Sequence, residues 1–160
     1  MREKGLPLPA ATEPSGLERA FREHWTPLVR LAWLMTSSRN DAEDVVQAAF
    51  LRFTVVRPIP DVPGAYLRRM VVNGVHDLFR RRAVERRLTP GPDHVALDPD
   101  LREIWDAVQR LRPPHREVIV LRYYADLSAE EIATLLGCPL GTVRSRLARA
   151  LSSLREVCRE

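Results

Sequence analysis

Arginine side chains are concentrated on a short segment near the end of the sequence, and their spacing suits contact with DNA. An arginine can bond the O6 and N7 atoms of a guanine at two points in the major groove, which is wide enough to admit one helix. An exposed row of arginines on such a helix therefore predicts base-specific contact with duplex DNA. An ordinary solvated helix face is the alternative. The candidate contacts are Thr142, Arg144, Ser145, Arg146 and Arg149.

Two short helices joined by a glycine turn are predicted to hold this row. Ser128 and Glu131 have the spacing of a capping box, in which each side chain bonds the backbone N–H of the other residue. Gly137 can end that helix in the left-handed conformation, and Pro139 blocks its continuation. The second helix, restarting at Gly141, has an apolar face at helical spacing, formed by Val143, Leu147, Ala150, Leu151 and Leu154. This layout is typical of a DNA-reading helix-turn-helix.

A second basic segment lies in the middle of the chain. Residues 66–90 contain seven arginines and two acidic residues, an excess larger than the formal net charge of +4 for the whole chain. A basic stripe attracts phosphates, and neighbouring rings and amides can stack on unpaired bases or bond their edges. The segment therefore predicts contact with melted or single-stranded DNA, whereas a solvated helix end with arginines at the favourable pole of its dipole is the alternative. The candidates are Asn73, His76, Phe79, Arg80 and Arg81.

The segment DAEDVVQAAFLRF is predicted to form a helix with two different faces. Its inward stripe is apolar and consists of Val46, Ala49, Phe50 and Phe53. The adjoining stripe mixes charged, amide and apolar groups and consists of Asp44, Gln47, Ala48 and Leu51. A mixed face suits a protein partner, because apolar atoms supply contact area and polar atoms supply register. The alternative is again an ordinary solvated face.

Catalytic and metal chemistry have weak support. Asp41, Glu43 and Asp44 are the best candidates for metal ligands, but neighbouring positions on a helix point in different directions and do not converge on one ion. Cys138 and Cys158 are isolated and belong to no Cys/His cluster, so neither a zinc site nor a disulfide framework is indicated, and Cys138 is expected in the core. We expect no enzymatic activity, no cofactor and no metal.

The remaining pattern predicts an all-α protein with two small helical domains joined by a flexible linker. The 160 residues are 45% apolar, and no segment alternates like a strand. Without an apolar run long enough for a membrane span or a signal peptide, we expect a cytoplasmic protein. The predicted parts are a mobile tail (1–15), a first domain (16–87), a linker (88–100) and a helix-turn-helix domain (101–160). The predicted helical segments before the helix-turn-helix are 17–36, 41–56, 63–86, 101–111 and 115–124.

Three segments between residues 21 and 156 resemble, in their order and spacing, the bacterial extracytoplasmic-function sigma factors of the sigma-70 superfamily. They are DAEDVVQAAFLRF, AYLRRMVVNGVHDLFRRR and LRPPHREVIVLRYYADLSAEEIATLLGCPLGTVRSRLARAL. The nearest resemblance is to the small SigE-like group of high-GC bacteria. The chain departs from the family pattern at Ala48, where glutamate is usual, at Leu140, and in TVVRPIP, which lacks the tryptophans often found there.

The resemblance implies a transcription factor that binds core RNA polymerase and directs it to promoters. The clamp coiled coil of the largest polymerase subunit is the implied partner of Asp44, Gln47 and Leu51. The resemblance assigns the melted −10 element to the five candidates between Asn73 and Arg81, and the −35 duplex to the five between Thr142 and Arg149. An anti-sigma protein is a further implied partner. Two other functions stay open, a sigma mimic that binds only a regulatory protein and a helix-turn-helix repressor.

Overall fold

The computed structural model describes residues 15–85 and 99–157. Within these residues the chain is helical and contains no strand, which confirms the predicted all-α class. The helices are α1 (Gly16–Thr36), α2 (Arg39–Phe53), α3 (Pro63–Glu85), α4 (Pro99–Arg110), α5 (Pro113–Ile119), α6 (Ala129–Leu136) and α7 (Leu140–Val157), and a π-helical turn (Val120–Tyr124) continues α5. The predicted tail, apart from Ser15, and most of the predicted linker lie outside the described residues.

Serine side chains define the starts of the first two helices. Ser15 Oγ accepts from the backbone N–H of Glu18 at 3.2 Å, and Glu18 bonds back to the Ser15 N–H at 2.9 Å. Ser38 Oγ accepts from the N–H of Asp41 at 3.3 Å. Between the two helices, Ser37 takes the left-handed conformation with φ of 59°, so α1 ends and the chain reverses over two residues.

The first three helices pack against one another around an apolar core. The predicted inward stripe of α2 is confirmed, because Val46, Ala49, Phe50 and Phe53 are all buried. The facing side of α3 buries Leu67, Val71, Val72 and Val75. A Cβ atom on Gly74 would lie 2.9 Å from Cγ1 of Val45, so a residue without a side chain is needed where α3 approaches α2.

The last four helices and the π-helical turn surround a second group of buried residues, which includes Val118, Leu121, Ile132 and Val143. Helix α7 packs on α4, α5 and α6. Helix α4 begins at Pro99, inside the stretch that was predicted as linker. The π-helical turn is closed by a bond from the N–H of Ala125 to the carbonyl of Val120 at 3.1 Å.

The two groups of helices also pack against each other. Helix α1 contacts α5 and the π-helical turn, and the rings of Trp33 on α1 and Trp105 on α4 stack with centroids 4.2 Å apart. Buried residues of both groups form one continuous apolar cluster. The helix bearing the central basic segment and the helix-turn-helix are thereby held in one body.

Candidate nucleic-acid and protein interfaces

The helix-turn-helix has the local geometry that the sequence predicts. Ser128 Oγ accepts from the N–H of Glu131 at 3.1 Å, and Glu131 accepts from the N–H of Ser128 at 2.7 Å. These bonds lower the pKa of Glu131, because they favour the charged carboxylate. Gly137 ends α6 with φ of 62°. Helix α7 begins at Leu140, one residue earlier than predicted, because the carbonyl of Pro139 accepts from the N–H of Thr142 at 2.9 Å.

Helix α7 presents its predicted DNA face to solvent. Val143 and Ala150 are fully buried on the opposite side, and Cys138 packs against the core as predicted. Of the five candidates, Arg144, Ser145 and Arg149 are exposed, and Thr142 and Arg146 are half-buried. Arg144 pairs with Glu130 at 3.2 Å, both side chains being more than half exposed. Such a surface pair contributes only about 0–1 kcal/mol, so Arg144 can exchange Glu130 for another partner.

Arg112 and His115, which were not among the residues predicted from the sequence, extend this basic face. The pKa of His115 is lowered by burial and then by the charges of Arg112, Arg149 and Arg146. Arginines at the start of α5 and along α7 therefore raise the positive potential around one histidine. In the sequence, Arg112 and His115 stand on either side of two prolines. They lie more than twenty positions before α7, so their spacing did not indicate that they are near it.

On α3, the predicted contacts with melted DNA are in different environments. Asn73, Arg80 and Arg81 are exposed, whereas His76 and Phe79 are half-buried. Nε2 of His76 is hydrogen-bonded to Oε1 of Glu117 on α5. That bond is the largest cause of a raised pKa for His76, because the carboxylate stabilises the imidazolium. Arg80 lies 3.3 Å from Asp77 in an exposed pair.

The mixed face of α2 is exposed at Asp44, Gln47, Ala48 and Leu51, and Leu51 has 63% of its surface accessible. A cleft of about 450 Å³ runs between this face and α3. Ala48 and Gly74 both line it, together with Asp44, Arg52 and Arg81. The small residue at position 48 thus opens a recess between the predicted polymerase-binding face and the predicted DNA-binding face.

Further exposed apolar residues follow the mixed face. Val55, Ile59, Val62 and Tyr66 continue from the end of α2 to the start of α3, and all are exposed. Within the described ranges, no three His, Cys, Asp or Glu side chains are placed to hold a metal ion. Over the same residues, no helix has the length and apolar character needed to cross a membrane.

Comparison with known proteins gives the family. The family model Sigma-70 region 2 matches residues 20–85, and the model Sigma-70, region 4 matches residues 101–154. The RNA polymerase sigma-E factor of Streptomyces coelicolor is 34% identical over 148 residues, which are 87% of this chain and 84% of the relative. This chain is a sigma factor. It belongs to the extracytoplasmic-function group, which the resemblance predicted.

Two further comparisons agree with this assignment. The extracytoplasmic-function sigma factor SigL of Mycobacterium tuberculosis is 33% identical over 165 residues, covering 94% of this sigma factor and 93% of the relative. The solved structure of the sigma factor RpoE from Bartonella quintana, in complex with the anti-sigma factor NepR, matches with a TM-score of 0.73 at 23% identity. That match covers 91% of this chain and 98% of the solved chain, and it supports the fold.

In this sigma factor the candidate residues form three separate groups. Asp44, Gln47 and Leu51 share one exposed face of α2, and the −35 candidates share α7. The five −10 candidates share α3, and His76 among them is also hydrogen-bonded to Glu117 on α5. Arg82, part of the basic run, instead bonds Asp41 at 2.6 Å and links α3 to α2.

Proposed function

We propose that this sigma factor binds core RNA polymerase through α2, contacts the melted −10 strand through α3 and reads the −35 duplex through α7. The observation that carries the proposal is the placement of the candidates. None of the residues in the three sets is buried, whereas the other side of each helix carries buried apolar residues, such as Val46 on α2, Val71 on α3 and Val143 on α7. Each helix therefore offers one face to the core and one face to a partner.

The three faces differ in chemistry as their partners do. The face of α2 combines one carboxylate, one amide and an exposed leucine, which suits a protein surface. The face of α3 combines an amide, a ring and two exposed arginines, which suits unpaired bases and phosphates. The face of α7 carries arginines on a helix placed after a turn, which suits the major groove. No catalytic role is proposed for any of these residues, because bond formation in transcription belongs to the polymerase.

The experiment that tests the α2 assignment is co-elution with purified core polymerase on a sizing column. Changing Asp44→Ala and Gln47→Ala together removes the polar groups of this face and is expected to abolish co-elution while leaving helicity intact. Glu43→Gln is the matched control, because Glu43 lies on the same helix but pairs with Arg39 at 2.9 Å. Retained co-elution of the double variant would place the polymerase interface elsewhere.

An anti-sigma protein is proposed as a further partner. The support is the Bartonella structure, whose sigma factor is bound to an anti-sigma factor, and the exposed apolar residues Leu51, Val55 and Val62. We propose that the chain works in the cytoplasm with its polymerase. Tagged chain recovered from its own cells, followed by identification of bound proteins, tests for this partner. A chain that recovers a regulator but never polymerase would favour the sigma mimic.

A further inference from the structure

A cluster of basic side chains lies where the start of α5 packs against α7. Arg112 is the residue before α5, and the N–H of His115, in the first turn, donates to the carbonyl of Arg112 at 2.9 Å. Arg146 and Arg149 lie in the middle of α7, which packs on α5. The charges of all three arginines act on the imidazole of His115. These four residues, called the basic cluster below, border the proposed −35 face, because Arg146 and Arg149 belong to both.

The arginines of the basic cluster lack an acidic partner in the part of the chain that the structure describes. Other arginines pair with carboxylates, as Arg144 does with Glu130 at 3.2 Å. Among the described residues, no carboxylate lies within ion-pair distance of Arg112, Arg146 or Arg149. Their charges are therefore not neutralised by these residues. Since guanidinium groups make strong, charge-assisted bonds to phosphate, an anion of that kind is the ligand that fits.

His115 is the titratable member of the basic cluster, and it is half-buried. Its pKa is lowered, first by burial and then by the charges of Arg112, Arg149 and Arg146. Burial removes water from the imidazolium, and like charges repel it, so both causes favour the neutral ring. The free chain therefore holds a neutral imidazole between positive charges.

The charged residues that follow His115 on α5 are bonded to other helices. Arg116 donates to Ser37 Oγ at 2.6 Å, and Glu117 is hydrogen-bonded to His76 on α3. Neither contributes to the shift in the pKa of His115, and within the described residues no carboxylate of α1, α4 or the π-helical turn does so. An anion from outside the chain is therefore needed to favour the protonated ring.

Duplex DNA bound to α7 would bring phosphates to the border of this helix. A recognition helix lies in the major groove while other parts of a helix-turn-helix protein cross the DNA backbone. Contacts to phosphates set the position of the helix and carry no sequence information. The basic cluster lies beside α7 and offers such a contact. A phosphate there favours the imidazolium of His115 and so opposes the effect of the arginines.

We propose that His115 binds a backbone phosphate of the −35 duplex and takes up one proton from solvent as it does so, with Arg112 contacting the same stretch of backbone. The neutral ring gains a proton on the nitrogen that lacked one, and that N–H then donates to a phosphate oxygen. The proposal rests on the proposed function of α7 as the −35 contact. It adds two residues to that contact and makes the affinity depend on pH.

The direction of the pH dependence follows from the two states of His115. Its pKa is lowered in the free chain and is expected to be higher in the complex, so binding takes up a proton between the two values. The affinity is therefore highest at low pH, falls as pH rises through this range, and is constant above it. One proton changes the affinity by at most about tenfold per pH unit. One more charged contact also steepens the log–log slope of affinity against salt concentration by about 0.9.

Two substitutions in the full chain reproduce the two charge states of position 115. His115→Gln keeps a polar side chain without a titratable group, and we expect it to bind at every pH as the wild-type chain binds at high pH. His115→Arg carries a permanent charge, and we expect it to bind at every pH as the wild-type chain binds at low pH. His24→Gln is the matched control, because His24 is also partly exposed, with 29% of its side chain accessible, but lies on α1.

The probes are a short duplex that the wild-type chain selects from a random pool and a duplex of unselected sequence. Fluorescence anisotropy measures the affinity for each from about pH 5 to pH 8, and circular dichroism checks that each chain stays helical. Calorimetry in buffers of different ionisation enthalpy counts the protons taken up. We expect proton uptake by the wild-type chain and His24→Gln, its loss in both His115 variants, and the same pH dependence on the two duplexes, because phosphates do not report sequence.

Two results separate this proposal from the function on which it rests. Equal pH dependence and equal proton uptake in the wild-type chain and His115→Gln would overturn the role of His115, while binding of the selected duplex would leave the role of α7 in place. A helical chain that binds neither duplex at any pH would overturn the proposed function of α7, and the His115 contact with it.

Discussion

Nη2 of Arg82 lies 2.6 Å from Oδ2 of Asp41, and the pair joins the last turns of α3 to the first turn of α2. Both side chains are mostly covered, with 21% and 16% of their surfaces accessible. Arg80 and Arg81, which precede Arg82 in the same basic run, are exposed. The run therefore divides into two arginines available to a ligand and one that stabilises the first domain.

Arg82→Met is expected to lower the free energy of unfolding by about 1.5–3 kcal/mol, because it removes a charged hydrogen bond and leaves Asp41 without that partner. Arg81→Met is expected to change stability by less than about 0.5 kcal/mol and to weaken binding of the −10 strand. Urea unfolding followed by circular dichroism, with DNA binding measured in parallel, checks both. Equal destabilisation by the two variants would contradict the conclusion that Arg82 stabilises the fold and Arg81 does not.

Arg149→Ala is expected to weaken binding to the −35 duplex by about 1–3 kcal/mol and to relax base preference at one position. The reason is that Arg149 is exposed on α7, whereas the adjacent Ala150 is buried. Binding to a library of duplexes with single-base changes is the measurement. Arg155→Ala, an exposed arginine in the last turn of the same helix, is the control. An equal loss on every sequence would make Arg149 a phosphate contact.

Ser128→Ala is expected to lower the free energy of unfolding by about 1 kcal/mol. The substitution removes the acceptor for the Glu131 N–H at the start of α6, whereas Ser152→Ala changes an exposed serine inside α7 and serves as the control. Urea midpoints of the two variants give the comparison. Unchanged stability of Ser128→Ala would show that hydrogen bonds to water replace the capping bonds with no change in the free energy of unfolding.

The bond between His76 and Glu117 predicts that the stability of the chain depends on pH. The pKa of His76 is raised in the folded chain, first by this bond, with Asp77 and Arg80 as the other charged groups that act on it. A raised pKa means that the bond stabilises the folded chain fully below the ordinary histidine pKa, and that this contribution disappears as pH rises through the raised value.

We therefore expect the free energy of unfolding to decrease as the solution becomes more alkaline, over the range in which His76 loses its proton. Glu117→Gln is expected to flatten this dependence, because the partner no longer carries a charge that favours imidazolium. Urea unfolding of both chains at a series of pH values, followed by circular dichroism, is the measurement. A pH dependence that is identical in the two chains would assign it to another group.

The sequence predicts the features whose causes are local. The capping box of Ser128 and Glu131, the turn at Gly137 and the inward stripe of α2 each depend on residues within a few positions of one another, and the structure contains all of them. The order of the motifs was sufficient to indicate the family. The roles of the candidate site residues stay predictions, although their exposure agrees with them.

The contact between the domains could not be predicted, because its causes lie far apart in the chain. His76 and Glu117 are separated by 41 positions, and Ser37 and Arg116 by 79. No spacing rule connects such residues. Arg116 and Glu117 are a charged pair of the kind common near the start of a solvent-exposed helix, so nothing in the sequence indicates that they make contacts between distant helices. The π-helical turn was likewise predicted as ordinary helix, because its wider hydrogen bond at Ala125 leaves the apolar pattern of Val120 and Leu121 unchanged.

Transcription with purified components tests whether this sigma factor directs core RNA polymerase to promoters. Core RNA polymerase, the full chain and a pool of genomic promoter fragments are incubated, and the transcript starts are sequenced. We expect initiation at sites that share −35 and −10 elements, and loss of that initiation with Arg149→Ala or with the Asp44 and Gln47 double variant. Absence of initiation by a folded chain that co-elutes with the polymerase would contradict it.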